Sequence, residues 1–347
     1  MSDTAESEAP SDDLAVAPPA SEPDARPSAV SRAADLISRR RETTITFVTV
    51  SLFGYFWIAN DAFVTTNNLR VITQFATPVA FLAIAQVMNL VGGEIDLSLG
   101  NIYAFAPFVM VSAQDWGLPL PVALVFAVFV ASLVGLANGT ITILTGVPSF
   151  ITTMGMLFFL NGVTLTISDA FPKTPARGGF AEWIGGADYS GFWWVLGLTV
   201  ILHVLLTKTR WGVYTIATGG NPIGASEAGI QIKRIKVGNF MLAAAVAGFA
   251  GISEGIRVHT FLPLAGGPDL MFLGVAAAVI GGTALFGGSG TIIGAFLGAI
   301  FLSVLRDGLT IEGISANTYN IILGAAIIAS MVLNAAANRL RLRLRTT

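Results

Sequence analysis

The chain contains no cysteine and few charged residues. Only 12% of its 347 residues are Asp, Glu, Lys or Arg, whereas soluble domains carry about 25%. The lack of cysteine excludes disulfides and thiolate metal sites, and the two histidines, His203 and His259, do not have metal-ligand spacing. The 54% hydrophobic content and the mean hydropathy of +0.73 indicate an integral membrane protein instead.

Motifs for catalysis and for ATP binding are also lacking. The sequence has no GxxxxGK[ST] phosphate-binding loop, no Ser-His-Asp set, no paired catalytic carboxylates and no metal-ligand cluster. The GGSG at 287–290 lies between two apolar runs and has no strand before it, so it does not qualify. We therefore expect no catalytic residue, no metal and no cofactor on this chain.

Long apolar runs account for most of the sequence. A helix that crosses a bilayer needs about 20 mostly apolar residues. We predict an all-α polytopic membrane protein with about ten transmembrane helices, in one domain over residues 43–338. The predicted spans are 43–60, 70–91, 98–113, 119–143, 148–168, 191–206, 237–258, 271–286, 290–309 and 318–337.

Basic residues predict the orientation of these spans. They cluster before the first span, within 207–236 and after the last span, and these three segments hold fourteen of the nineteen Lys and Arg. Because loops rich in Lys and Arg remain in the cytoplasm, both termini are predicted to be cytoplasmic. Residues 1–42 read as a disordered cytoplasmic tail with an acidic start, and 339–347 as a basic cytoplasmic tail.

The segment 207–236 is a long polar interruption that faces the cytoplasm in this topology. Its middle predicts a short helix, because Asn221 is a good N-cap and Pro222 suits the first helical position. Gly229 suits the C′ position about two turns later. A short, capped helix on a cytoplasmic loop is an element that another protein can bind.

Two glycine-rich segments, 91–101 and 280–300, are predicted as turns on the same inner side. For Asp96 the favoured interpretation is a helix cap at a tight cytoplasmic turn, and Ser98 is a second good cap. The alternative is that Glu94 and Asp96 take part in transport, because ionisable residues near membrane depth are often functional. The candidate translocation or hinge residues are Gly93, Glu94, Asp96, Ser98, Gly100, Gly281, Gly282, Gly287 and Gly288.

Four motifs, in order, resemble one known family. GEIDLSLG at 93–100 resembles the GGIDLSVG signature of ABC importer permeases for ribose, xylose and galactose-type sugars. The segments 146–162, 210–236 and 266–299 resemble further parts of these permeases, and the resemblance covers about residues 45–335. The sequence departs from the family's usual motif just before the eighth span, at Pro268, Asp269 and Met271.

This resemblance implies a role and a set of partners. In such importers two permease chains, identical or paralogous, form a pore in the bacterial inner membrane, and an extracytoplasmic binding protein delivers the solute. Each permease offers a short coupling helix to an ABC ATPase subunit, which binds ATP and Mg²⁺; no nucleic acid is involved. The residues that match the coupling segment are Gly219, Gly220, Asn221, Pro222, Ala225, Glu227, Gly229 and Ile230.

The expected function is therefore translocation of a monosaccharide or a similar small polar solute by an ATP-driven importer. The alternative is a secondary transporter driven by an ion gradient, which would favour buried acidic residues within the spans. The predicted spans carry almost no ionisable residue near their middle, which argues against that alternative. A membrane enzyme would need clustered catalytic side chains, and the sequence has none.

Overall fold

The computed structural model describes residues 41–343; residues 1–40 of the predicted N-terminal tail and residues 344–347 lie outside it. Between 41 and 343 the chain is helical and contains no strand. The α-helices are α1 (Arg41–Ala59), α2 (Thr66–Val91), α3 (Leu99–Asp115), α4 (Leu120–Thr145), α5 (Ser149–Ile167), α6 (Ser190–Lys208), α7 (Arg210–Gly220), α8 (Pro222–Glu227), α9 (Ile232–Arg257), α10 (Gly267–Ile280), α11 (Ile292–Ile311) and α12 (Ala316–Arg343). A single π-helical turn, Glu182–Gly186, precedes α6.

Each of the ten predicted spans corresponds to one of these helices, which confirms the all-α polytopic fold. Within residues 41–343, seven helices are long and apolar enough to cross a membrane, namely α1 from Glu42, α2, α4, α5, α6, α9 and α11. Of the other three, α3 has 17 residues and α10 has 14. The apolar part of α12 covers Asn317–Ala329.

Three helix boundaries differ clearly from the prediction. α10 ends at Ile280 and not near residue 286, because the chain turns at Gly281 and Gly282. α9 begins at Ile232, ahead of the predicted start at 237, so Lys236 belongs to its first turns. The last helix continues through Arg343 and thus includes the start of the predicted basic tail.

α2 and α9 form the centre of the bundle. Every residue of α2 from Ala76 to Val91 is buried, so other helices surround this half of α2 on all sides. α9 packs against α2, α3 and α4. Small residues permit this close packing: a Cβ added at Gly251 of α9 would lie 1.8 Å from the Tyr103 carbonyl oxygen on α3.

α4 has one face for the protein and one for lipid. Its buried face consists mainly of small residues that recur about every four positions, Ala123, Ala127, Ala131, Gly135 and Gly139. Its opposite face exposes large apolar side chains, Val125, Phe129, Leu133 and Leu136. An apolar face this broad is stable only next to another apolar phase, so α4 lies at the membrane-facing surface.

Polar contacts tie the loops together at two opposite ends of the bundle, as the alternation of spans requires. At one end, the hydroxyl of Thr291 donates to Glu42 (2.7 Å) and thereby joins the start of α11 to the start of α1. At the other end, Arg70 pairs with Asp188 of the segment between α5 and α6. We call these the inner end and the outer end, after the predicted orientation.

α3 and α10 both begin inside the protein. A Cβ added at Gly100, in the first turn of α3, would lie 2.0 Å from the carbonyl oxygen of Gly267, the first residue of α10. The sequence places Gly100 near the inner end and the loop before α10 at the outer end, so the chain enters the bundle from both ends. Backbone without helical hydrogen bonds is tolerated at membrane depth only where protein covers it, and Gly100 is buried. The interior starts explain why α3 and α10 are short.

Candidate coupling site at the inner end

The predicted short helix is present as α8. The Asn221 side chain accepts a hydrogen bond from the N–H of Gly224 (3.0 Å), and Pro222 is the first helical residue. Gly229 follows the helix with φ of 79°, a left-handed conformation that glycine adopts without strain. The N–H of Ile230 donates to the carbonyl of Ala225 (3.0 Å) and completes the end of the helix.

α8 has a buried side and an exposed side. Ala225 is buried, which fixes the helix on the bundle. Ile223 is 74% exposed, and Glu227, one turn later on the same face, is exposed as well. An exposed branched apolar side chain next to a charge on a firmly capped helix is a surface suited to a protein partner.

α7 is an element that the sequence prediction missed. The Thr209 hydroxyl caps it by accepting from the N–H of Gly212 (3.3 Å). The Trp211 indole donates to the Asn239 side chain on α9 (2.8 Å), and the ring covers Gly238, where an added Cβ would lie 2.3 Å from it. The signal that could have revealed α7 is Thr209, a good N-cap ahead of eleven residues without proline.

The last two residues of α7 contact both glycine-rich turns. A Cβ added at Gly219 would lie 1.9 Å from the Val91 carbonyl oxygen, at the end of α2. The same added atom would lie 2.8 Å from the backbone nitrogen of Gly288, in the second turn. Gly288 also donates its N–H to the Val91 carbonyl (2.9 Å), which closes the contact between the two turns. Three segments distant in sequence therefore meet through backbone atoms, directly before α8.

Gly93, Gly220 and Gly287 extend the same contact. A Cβ added at Gly287 would lie 2.5 Å from the carbonyl oxygen of Gly219, and one added at Gly93 would lie 3.5 Å from the Gly219 Cα. A Cβ added at Gly220 would lie 3.4 Å from the Cα of Gly288. A side chain at Gly287 would separate the second turn from α7, whereas a Cβ at Gly93 or Gly220 would make ordinary contact, so the glycines at 219 and 287 are what permit the junction.

The first turn is also held by side chains. Glu94 forms an ion pair with Lys236 of α9, and both side chains are largely buried. Two backbone N–H groups of the turn, at residues 95 and 97, donate to the hydroxyls of Ser149 (3.1 Å) and Thr153 (3.0 Å) on α5. The turn between α2 and α3 is therefore bound to α5, α7 and α9. In the sequence Lys236 stands among the basic residues of the polar loop, and nothing there marks its pairing with Glu94.

Asp96 differs from its predicted role as a helix cap. Ser98 occupies the N-cap position of α3, and its side chain makes no capping hydrogen bond. The Asp96 Oδ1 accepts from the N–H of Ser98 (2.9 Å) and from its hydroxyl (2.6 Å), an Asx-type turn ahead of the helix. The Asn138 amide of α4 donates to the Ser98 hydroxyl (2.8 Å).

Asp96 and Ser98 lie in the turn ahead of α3, and together with Asn138 of α4 they form a cluster that protein covers fully. Asp96, Ser98 and Asn138 are each 0% exposed. Burial raises the pKa of the Asp96 carboxyl to about 6, and the hydrogen bonds from Ser98 and Asn138 act in the opposite direction. The cluster holds the turn to α4 through the hydrogen bonds that Asn138 donates to Ser98 and Asp96.

The second turn separates into two parts with different contacts. Gly281, with Gly282 next to it, ends α10 and packs against α11: a Cβ added at Gly281 would lie 2.2 Å from the carbonyl carbon of Gly294. Gly287 and Gly288 form the part that meets α7. The N–H of Ala284 donates to the carbonyl of Ser289 (2.9 Å) and closes the loop between these parts.

This geometry provides a mechanical connection between α8 and the two glycine-rich turns. α8 is exposed, α7 precedes it without a flexible linker, and the end of α7 touches the turns that lead into α3 and α11. A displacement of α8 would therefore move both turns. A polytopic helical bundle with this arrangement has the architecture of a membrane transport permease.

Comparison with known families agrees with this class. The protein-family model described as "Branched-chain amino acid transport system / permease component" matches residues 68–331. The chain belongs to this family. The match begins within α2 and ends within α12, so it includes both turns, α7 and α8.

Individual relatives are import permeases that are named for several different solutes. The chain is 38% identical over 320 residues to the xylose/arabinose import permease XylH of Sulfolobus acidocaldarius, covering 89% of each chain. It is 32% identical to the ribose import permease RbsC of Escherichia coli, over 78% of this chain and 86% of the relative. It is 28% identical to the autoinducer 2 import permease LsrC of Photorhabdus luminescens, over 86% and 90%. No solved structure matches the chain.

Proposed function

We propose that this chain is the membrane-spanning subunit of an ATP-driven ABC importer that carries a monosaccharide or a similar small polar solute. The observation that carries the proposal is the junction at Gly219, where the end of α7 meets both glycine-rich turns directly before the exposed helix α8. An ATPase subunit that binds α8 and changes conformation would move both turns together. That is the behaviour required of a permease that converts a partner's motion into opening and closing.

In this proposal the chain hydrolyses no ATP and binds no cofactor of its own. ATP and Mg²⁺ bind to a separate ABC ATPase subunit, which contacts Ile223 and Glu227 on α8. A second permease chain completes the pore in the cytoplasmic membrane, and an extracytoplasmic binding protein delivers the solute to the outer end. The solute class rests on the relatives, because their names include xylose, arabinose and ribose.

The test is purification of the tagged chain from its own host in mild detergent, followed by assay for a co-purifying ATP-hydrolysing subunit. We expect ATPase activity with the unmodified chain and its loss with Glu227→Lys, because the reversed charge lies on the exposed face of α8. Gly229→Pro, which alters the end of α8, should uncouple uptake while the chain remains in the membrane.

Glu312→Lys is the matched control, since it makes the same charge change at an exposed position at the outer end. It should leave the co-purifying ATPase activity unchanged. A chain that purifies alone under several mild conditions would contradict the proposal. An ion-gradient test in proteoliposomes would then decide whether the chain is a secondary transporter.

A further inference from the structure

Two buried amide side chains near the inner end of α2 are unpaired. Gln86 and Asn89 are each 1% exposed. Among the residues that the structure describes, none of the four amide nitrogen and oxygen atoms of these side chains has a hydrogen-bond partner. Buried polar groups in proteins are nearly always hydrogen-bonded, because an unpaired one is unfavourable in an apolar interior. Four such atoms within one turn of a helix require an explanation.

The helix register shows which neighbour the two amides face. Gln86 and Asn89 follow Leu82 by four and seven residues, so all three lie on one face of α2. Leu82 packs against Gly274 of α10, where an added Cβ would lie 2.8 Å from the Leu82 Cβ. α2 and α10 both run toward the inner end, so the amides lie along the part of α10 that leads to Gly281.

This face of α2 is next to the junction with α7. Asn89 is two residues from Val91, whose carbonyl accepts from Gly288 and approaches Gly219. α10 ends at Ile280, and the second turn begins at its C-cap, Gly281. A displacement of α7 therefore acts on the ends of the two helices between which the amides lie.

We propose that Gln86 and Asn89 line the solute path at the inner end, and that α2 and α10 close over them in the conformation described. When the helices separate, the amides meet water and solute and gain the hydrogen bonds that they lack here. The inference rests on the proposed function and adds recognition residues to it.

The chemistry of the pair selects a class of solute. Each amide offers two donors and an acceptor, which complements hydroxyl groups that both donate and accept. Neither amide is charged, so the pair offers no partner for the ammonium or carboxylate of an amino acid. The matching solute is neutral and polyhydroxylated. This separates the sugars named for the relatives from the amino acids named in the family description.

The experiment uses the absence of cysteine from the chain. Gln86→Cys and Asn89→Cys are made singly in the full chain and studied in host membranes with its partner subunits present. Ile84→Cys and Val87→Cys are the controls, since both positions are also buried but lie on the opposite face of α2 at the same depth. Each is treated with a small water-soluble thiol reagent, with and without ATP, because the reactive thiolate forms only where water reaches it.

We expect labelling at positions 86 and 89 to be at least about tenfold faster than at 84 and 87 when ATP is present, since the path admits water. Saturating D-xylose or D-ribose should slow labelling at 86 and 89, whereas L-leucine should not. Equal labelling at all four positions in every condition would overturn the path. Rapid labelling that L-leucine slows and the pentoses do not would overturn the solute class, as would rapid labelling that none of them slows.

A second variant keeps the test decisive if the cysteine variants fail to reach the membrane. In Gln86→Leu/Asn89→Leu, unpaired polar atoms are replaced by apolar groups of similar size, so the protein should melt at the same or a higher temperature. Pentose uptake should nevertheless fall about tenfold or more if the amides contact solute. A more stable protein with unchanged uptake would overturn the proposal. Pentose uptake that does not need ATP would contradict the proposed ABC importer function. It would not contradict the proposed solute path, because the labelling rates test that path independently.

Discussion

At the residue scale, Asp96 is the buried acceptor that shapes the first turn. Asp96→Ala would leave the Ser98 N–H and hydroxyl without their acceptor, and we expect it to lower the free energy of unfolding by about 2–4 kcal/mol. Asp96→Asn retains an oxygen at the Oδ1 position. The Asn138 Oδ1, which has no partner, can turn to accept from the new amide, so the loss should stay below about 1 kcal/mol.

Thermal unfolding in detergent, with the amount of chain in the membrane, measures this difference. If both variants lose the same stability, the hydrogen bonds to Ser98 are not what makes Asp96 structural. If Asp96→Asn is stable but does not transport, the negative charge itself has a role in transport. Its role in translocation is otherwise still a prediction.

The ion pair between Glu94 and Lys236 gives a second prediction at this scale. Glu94→Lys or Lys236→Glu alone would place like charges together in a largely buried site, and we expect uptake to fall about tenfold or more. The double exchange Glu94→Lys/Lys236→Glu restores opposite charges and should recover most of the uptake. Measured uptake, normalised to the amount of chain in the membrane, gives the comparison. A double exchange as poor as either single one would mean that the pair does not act as a unit.

At the element scale, the junction of α7 with both turns predicts an effect of one added methyl group. Gly219→Ala places a Cβ 1.9 Å from the Val91 carbonyl oxygen, so either α7 or the end of α2 must move. We expect a loss of about 1–3 kcal/mol in stability and a fall in uptake of at least about tenfold, because α7 then no longer contacts both turns.

Gly197→Ala is the matched control for this change. Gly197 lies within α6, and nothing lies within 4 Å of a Cβ added there. Alanine favours a helix over glycine by about 0.5–1 kcal/mol, so this variant should be as stable as the unmodified chain or slightly more stable. Uptake and melting temperature are measured for both variants together. Normal uptake by Gly219→Ala would show that close contact at Gly219 is not needed for coupling.

The same elements show what could be predicted from the sequence and what could not. α8 was predictable because its signals are local: an asparagine, a proline and a glycine at fixed spacing. The contact of Gly219 with Val91 and Gly288 joins positions far apart in the chain. The identity of a glycine does not indicate which distant residue it contacts, so this contact could not be predicted. The Asp96 turn was placed correctly, but its geometry depends on Asn138 of another helix, which helix-capping rules do not include.

At the scale of the whole molecule, hydropathy predicted ten helices well because lipid requires long apolar segments. It could not predict that α3 and α10 begin inside the bundle. Gly100 and Gly267 meet where the two helices begin. The surrounding protein covers the backbone polar groups there, which could not be exposed to lipid. The unpaired amides of Gln86 and Asn89 could not be predicted for a related reason, because one polar residue per turn within an apolar run is common in a transmembrane helix.

The orientation of the whole molecule rests on the positive-inside rule, and the cysteine-free chain allows a direct test. Ser226→Cys lies on exposed α8 at the inner end, and Ala187→Cys lies on the exposed outer segment that pairs with Arg70 through its neighbour Asp188. In intact cells a membrane-impermeant thiol reagent should label Ala187→Cys and should label Ser226→Cys only after the membrane is opened. The reverse pattern would place α8 outside, where no ATPase subunit could reach it, and the coupling proposal would fail with it. Labelling of both sites in opened membranes is the control that each thiol is reactive. A site that is not labelled in intact cells then lies on the cytoplasmic side and is not merely buried.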